Sequence, residues 1–151
     1  MRSIFVASLF LAFMLLPDAA SAEHVFVESK ILGTWAENCG LPPYHIFELI
    51  NGEAYVRVLT GAAGGTLKSV SIKIDEVTKA DDGTIQLATI AKHPDGKRVA
   101  GIQRYRRDGD TLQMMYAKLG DRTIVENGRY VAPEMDGKVF PSERRCAAEV
   151  H

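Results

Sequence analysis

The sequence predicts an all-β protein, an eight-stranded antiparallel up-and-down barrel. Three observations carry that reading. Val70, Ile72 and Ile74 alternate with Ser69, Ser71, Lys73 and Asp75, the period-two pattern of a strand with one buried face. Turn signals recur at short intervals: Asn51-Gly52, Asp81-Asp82-Gly83, His93-Pro94-Asp95-Gly96, Asp108-Gly109-Asp110 and Leu119-Gly120-Asp121. No stretch between these signals is long enough for a helical crossover, so sequential strands pair antiparallel. Such a run escapes the exposed-edge problem by closing on itself. An open meander or a two-sheet sandwich would satisfy the same pattern.

Taken in order, the chain opens on a segment that is not expected to belong to the fold. Arg2 supplies a positive charge, Ile4 to Leu16 is an apolar run too short to span a bilayer comfortably, and Pro17 breaks it. Ala20-Ser21-Ala22 is a small-x-small cleavage signal. Residues 1–22 therefore read as a secretory signal peptide, with residues 23–151 forming one domain in the periplasm or outside the cell. No second long apolar run follows, so stable membrane insertion is not expected.

The first strand is the Gly33–Trp35 segment. His45 to Ile50 and Glu53 to Leu59 flank Asn51-Gly52, the strongest short hairpin signal. Gly61 to Gly65 is a loop, and the alternating run Ser69 to Asp75 follows it. Then come Thr84 to Ala91, Arg98 to Arg107, Thr111 to Lys118 and Arg122 to Glu126. Leu112, Met114 and Tyr116 are expected on one face of the seventh strand. The inward set is read as Val56, Val58, Val70, Ile72, Ile74, Leu87, Leu112 and Met114. Small residues at Ala54, Ala88, Ala91, Ala100, Gly101 and Ala117 would leave room near one mouth. After Asn127-Gly128 the regularity stops, and Tyr130 to Cys146, with Pro133, Gly137 and Pro141, reads as an irregular tail. A short helix over residues 142–150 is the other option there.

The two cysteines, Cys39 and Cys146, lie near opposite ends of the domain. An even count in an exported chain predicts a disulfide, which would pin the tail to the first strand. No Cys-x-x-Cys redox motif is present.

Ile31-Leu32-Gly33-Thr34-Trp35 holds the only Trp, with Cys39 just behind it. Gly33-x-Trp35 at the head of a run of short strands resembles the first motif of the lipocalin and wider calycin barrels. The resemblance implies that Trp35 packs at the closed end of the barrel, beside Gly33, with an Arg from a late strand across the indole. Arg104, Arg106, Arg122 and Arg129 are the candidates for that Arg. The chain is shorter than true lipocalins, lacks the Thr-Asp-Tyr motif and shows no evident helix after its last strand. It is more similar to small calycin-type proteins exported by Gram-negative bacteria, some of which inhibit metalloproteases through an N-terminal segment. The corresponding residues here, 23–30, carry no distinctive match.

Most catalytic chemistry finds no support. The formal net charge is −1 without a basic block, which argues against a nucleic-acid partner. His24, His45, His93 and His151 have no metal-ligand spacing, and no Gly-x-Ser-x-Gly elbow occurs. The Gly61–Gly65 loop lacks the Lys-Ser/Thr ending of a phosphate loop. The Asp-rich turns serve the turns themselves, with calcium as the other reading. No cofactor, metal or catalytic residue is expected. The expected function is an exported, non-catalytic binding protein for a small apolar ligand or a protein partner. Tyr55, Arg104, Tyr105, Met114 and Tyr116 are the expected ligand-binding residues. A periplasmic calycin-type protease inhibitor, or an envelope structural or stress protein, is the alternative.

Overall fold

The computed structural model describes residues 22–61 and 65–147. The signal-peptide reading therefore lies outside the described residues, apart from Ala22, as do His151 and part of the Gly61–Gly65 loop. The elements are α1 (Ala22–Glu28), β1 (Gly33–Ala36), β2 (Tyr44–Ile50), β3 (Glu53–Gly61), β4 (Leu67–Lys79) and β5 (Ile85–Lys92). There follow β6 (Arg98–Asp108), β7 (Thr111–Leu119), β8 (Arg122–Glu126), β9 (Arg129–Tyr130), a 3-10 turn at Pro133–Met135, and β10 (Glu143–Arg145). Among the described residues no helix is long and apolar enough to cross a membrane.

All pairings are antiparallel, and β1 to β9 follow one another in sheet order. The ring closes through β10, which pairs Trp35 with Arg145 on one side and Leu112 with Glu143 on the other. The closed barrel thus consists of β1 to β7 and β10, eight strands in all. This architecture is consistent with a lipocalin-like fold. The hairpin of β8 and β9 lies along the far half of β7, beyond the reach of β10.

The tail is more ordered than its composition suggests. Pro133, Gly137 and Pro141 break it into short pieces, but Glu143–Arg145 is the strand that seals the wall. Over residues 142–147 it takes the place of the helix considered there, and residues 148–150 lie outside the described residues. Cys39 and Cys146 are joined, with Cα atoms 5.5 Å apart and 107 residues of sequence between them. The bond lies on the outer side of the wall, in a small cluster with Ala36 and Tyr44.

The interior is built from cross-strand pairs. Phe47, Val56 and Ile72 form one row, and Val77, Leu87, Gln103, Ala117 and Val125 form another. Phe47, Val56, Leu87 and Val125 are almost or fully excluded from solvent. Each such side chain contributes roughly 1.5–3 kcal/mol of burial.

Two β-bulges shift the expected pattern. Ile74 pairs with Thr89 but Glu76 pairs with Ala88, so Asp75 is an extra residue and the inward sequence continues at Val77. That is why β4 runs to Lys79 rather than stopping at Asp75. In β7, Tyr105 pairs with Met114 and Arg104 with Tyr116, leaving Met115 unpaired. Tyr116 therefore faces outward, not inward with Leu112 and Met114. Val70 does lie on the inward face, opposite Val58, yet it remains 55% exposed because its row ends at the rim.

Candidate functional site

The two ends of the barrel differ. At one end the short helix α1 rests against β3 and β4, with Phe26 and Ile31 fully buried beneath it. Trp35 is also fully buried there, and its indole N–H donates to the Ile31 carbonyl at 2.7 Å. The Arg145 guanidinium covers the Trp35 ring at 4.3 Å. It also donates to the Leu32 carbonyl at 2.5 Å and the Lys30 carbonyl at 2.6 Å. A Cβ at position 33 would stand 2.8 Å from Arg145 Nη1, and the backbone there has φ of 124°. Glycine is therefore required both for space and for conformation. The cation over the indole is none of the four arginines the sequence offered. Arg145 sits next to Cys146, and the disulfide that returns Cys146 to β1 is the sequence signal that would have found it.

At the opposite end inward-facing side chains are exposed to solvent. The row Trp35, His45, Val58, Val70 starts at a fully buried indole and ends at a side chain 55% exposed. The row Ile74, Thr89, Gly101, Leu119 behaves alike, ending at Leu119, 44% exposed. Ala91 and Val99, paired across β5 and β6, are half-buried between them. These side chains are an apolar part of the rim that faces solvent, bordered by exposed Thr60 and Lys68 on the same face of β3 and β4. The space expected beside Gly101 is taken, since a Cβ there would meet Thr89 Oγ1 at 2.7 Å. Ala88 and Ala100 belong to the outer face, and Ala54 and Ala117 are buried.

Polar groups lie inside the barrel between these ends. His45 Nδ1 donates to Glu143 Oε1, and both side chains are largely buried. Tyr105 is buried edge-on against Phe47 at 5.5 Å, and its hydroxyl donates to Gln103 Oε1 at 3.0 Å. Burial first, and then the Glu143 charge, push the Tyr105 phenol above its ordinary range. The same two causes raise Tyr130, whose ring packs on Phe140. Glu143 is thus an interior carboxylate paired with the His45 imidazole.

The five residues expected to bind a ligand fall in three places. Tyr105 and Met114 are inside the barrel, paired with each other across β6 and β7. Arg104 and Tyr116 are outside, with the guanidinium stacked 5.4 Å from the phenol ring and donating to Gln86 Oε1 at 3.2 Å. Tyr55 is on the outer face of β3, donating to Glu53 Oε2 at 2.9 Å. The structure does not bring them together, because strand alternation separates Arg104 from Tyr105 and the Met115 bulge turns Tyr116 outward.

Among the described residues no group of three or more His, Cys, Asp or Glu side chains is placed to hold a metal ion. In the Asp81–Gly83 turn, the Asp82 carboxylate accepts from the Thr84 N–H at 2.9 Å and the Thr84 hydroxyl at 2.6 Å. No protein-family model, curated protein or solved structure matches the chain.

Proposed function

We propose that this is an exported, non-catalytic binding protein of calycin type that takes a small amphipathic ligand at the barrel mouth opposite Trp35. One observation carries the reading. Val70 and Leu119 face inward by strand alternation yet stay 55% and 44% exposed, so the rim offers apolar surface with nothing of the described chain covering it. Pockets of this kind combine apolar walls with a few polar groups. Here the polar groups are His45 and Glu143 in the interior, together with Tyr105 and Gln103. A ligand with an apolar body and a hydrogen-bonding head group suits that combination. The disulfide supports an oxidising compartment. A protease inhibitor acting through residues 23–30 is less well supported, because Phe26 is fully buried against the barrel and the segment is not a free arm.

Titration with Nile red and with lauric acid tests the proposal. Binding is expected to blue-shift the dye and raise the melting temperature. Val70→Lys together with Leu119→Lys should abolish both effects while leaving the Trp35 end folded. If neither probe binds the native protein at saturating concentration, the mouth is not a ligand site.

A further inference from the structure

The Arg104–Arg107 stretch has no part in the barrel mouth, yet Arg104 and Arg106 belong to a run of outward cations on one side of the barrel. Lys92, Arg98, Arg104, Arg106 and Lys118 all lie on the outer face of β5, β6 and β7, as the register and the buried positions of Leu87, Tyr105 and Ala117 require. None of the five makes an ion pair among the described residues. The outer face of β2 to β4 differs: Arg57 is paired with Glu48 at 2.9 Å and Lys73 with Glu53 at 2.5 Å. Lys92 and Arg98 even stand directly opposite one another, an arrangement that costs stability in an isolated sheet. The carboxylates lie around this face: Asp82 and Glu126 line a depression of about 380 Å³ together with Arg104, Arg106 and Tyr116, Asp108 ends β6, and Glu76 on β4 stands opposite Ala88. The whole chain carries a formal charge of −1, so this excess of positive charge is local.

The pattern along β6 is specific. Every second residue faces outward, giving Arg98, Ala100, Ile102, Arg104 and Arg106. Ala100 is exposed and Ile102 is 37% exposed, so an apolar step separates one cation from two. Arg104 is held in place by Tyr116 and Gln86 before any partner arrives. A pre-positioned guanidinium suits paired hydrogen bonds to a carboxylate. Side chains two apart on a strand repeat at about 6.7 Å, and an extended peptide has the same repeat.

We infer that the outer face of β5–β7 is a docking surface for an extended acidic segment of a protein partner. That segment presents carboxylates opposite Arg98, Arg104 and Arg106 and small apolar side chains opposite Ala100 and Ile102. An anionic membrane is the less fitting occupant, because the face bears a fixed pattern on a strand and its outward aromatic ring, Tyr116, is engaged by Arg104.

A fluorescein-labelled peptide, Asp-Ser-Val-Ser-Val-Ser-Glu-Ser-Glu, provides the test, with a scrambled peptide of the same composition and phosphatidylglycerol vesicles as comparisons. The native protein should bind the ordered peptide in preference to the scrambled one, more weakly as salt is raised. The pair Arg104→Gln and Arg106→Gln should weaken binding about tenfold, two lost charge contacts on an exposed face. Lys68→Gln with Lys138→Gln, both exposed and outside β5–β7, should leave it unchanged. Melting curves check that both variants remain folded. Absence of peptide binding, equal binding of the scrambled peptide, equal loss in both variant pairs, or binding to vesicles alone would each overturn the inference.

Discussion

Arg145 lies 4.3 Å over the Trp35 ring and ties the same residue to two backbone carbonyls of the segment that leads into β1. One side chain thus joins the strand that closes the barrel to the chain that caps its end. Removing it deletes a cation–π contact, worth about 0.5–2 kcal/mol, and charge-assisted hydrogen bonds worth about 1.5–3 kcal/mol each. Partial exposure of Arg145 reduces the sum. Arg145→Ala is expected to lower stability by about 2–3 kcal/mol and to red-shift Trp35 emission. Arg145→Lys should recover only part, because an ammonium lacks the planar fork that reaches both carbonyls. Urea unfolding followed by fluorescence measures both, and an Arg145→Ala variant as stable as the parent would refute this account of the cap.

The asymmetry between the barrel ends predicts different costs for similar truncations. Leu87 is fully buried at mid-wall, so Leu87→Ala should cost about 2–5 kcal/mol. Val70 has the same inward orientation but sits on the rim, so Val70→Ala should change stability by about 0.5 kcal/mol or less. Chemical denaturation of the two variants decides it, and equal losses would mean that the rim is packed in solution.

What could be read from the sequence, and what could not, follows from these positions. Local signals were sufficient for the Asn51-Gly52 hairpin, where φ is 53° and 79°, and for the alternating part of β4. They failed at Asp75 and Met115, because a bulge adds one residue and inverts the alternation beyond it without any distinctive residue type. They also missed Arg145, His45 and Glu143, which are brought together only by closure of the ring. Burial at Val70 could not be read either, since strand alternation gives a direction but not a distance from the rim.

The Cys39–Cys146 bond closes a separation of 107 residues. On the chain-entropy account a loop near that length stabilises the fold by about 4–5 kcal/mol, and measured effects are often smaller. Cys39→Ser with Cys146→Ser should therefore lower the denaturation midpoint strongly. The loss should appear with little change in Trp35 emission before unfolding, because the bond lies outside the wall and not in the Trp35 cluster. An unchanged midpoint would show that β10 holds its place without the bond.

Asp82 gives a pH dependence whose sign can be worked out. Its carboxylate accepts two hydrogen bonds from Thr84, which hold its pKa below the ordinary carboxylate value. A group with a depressed folded pKa stabilises the fold above its unfolded pKa and loses that contribution as pH falls through the folded one. Asp82→Asn should therefore lower the melting temperature at neutral pH. The difference from the parent should shrink as the pH drops through and below the usual carboxylate range. A difference that stays constant into acid would show that the charge of Asp82 has no part in it.

The His45–Glu143 pair makes the most discriminating prediction about the interior. Both side chains are largely shielded, and the Glu143 charge adds to burial in raising the Tyr105 and Tyr130 phenols. Removing one member of a buried pair costs about 3–5 kcal/mol, because the remaining charge stays out of water without compensation. His45→Leu alone should therefore be strongly destabilising. Glu143→Gln should be milder, since the amide oxygen still accepts from His45 Nδ1. Replacing both, as His45→Leu with Glu143→Leu, exchanges the pair for apolar volume and should recover most of the loss, as such replacements are often neutral. A thermodynamic cycle from urea midpoints measures the coupling. Additive losses would mean that the two side chains act independently. Strong coupling, with the double variant near parental stability but weaker in lauric acid binding, would show that the pair is kept for the ligand and not for the fold.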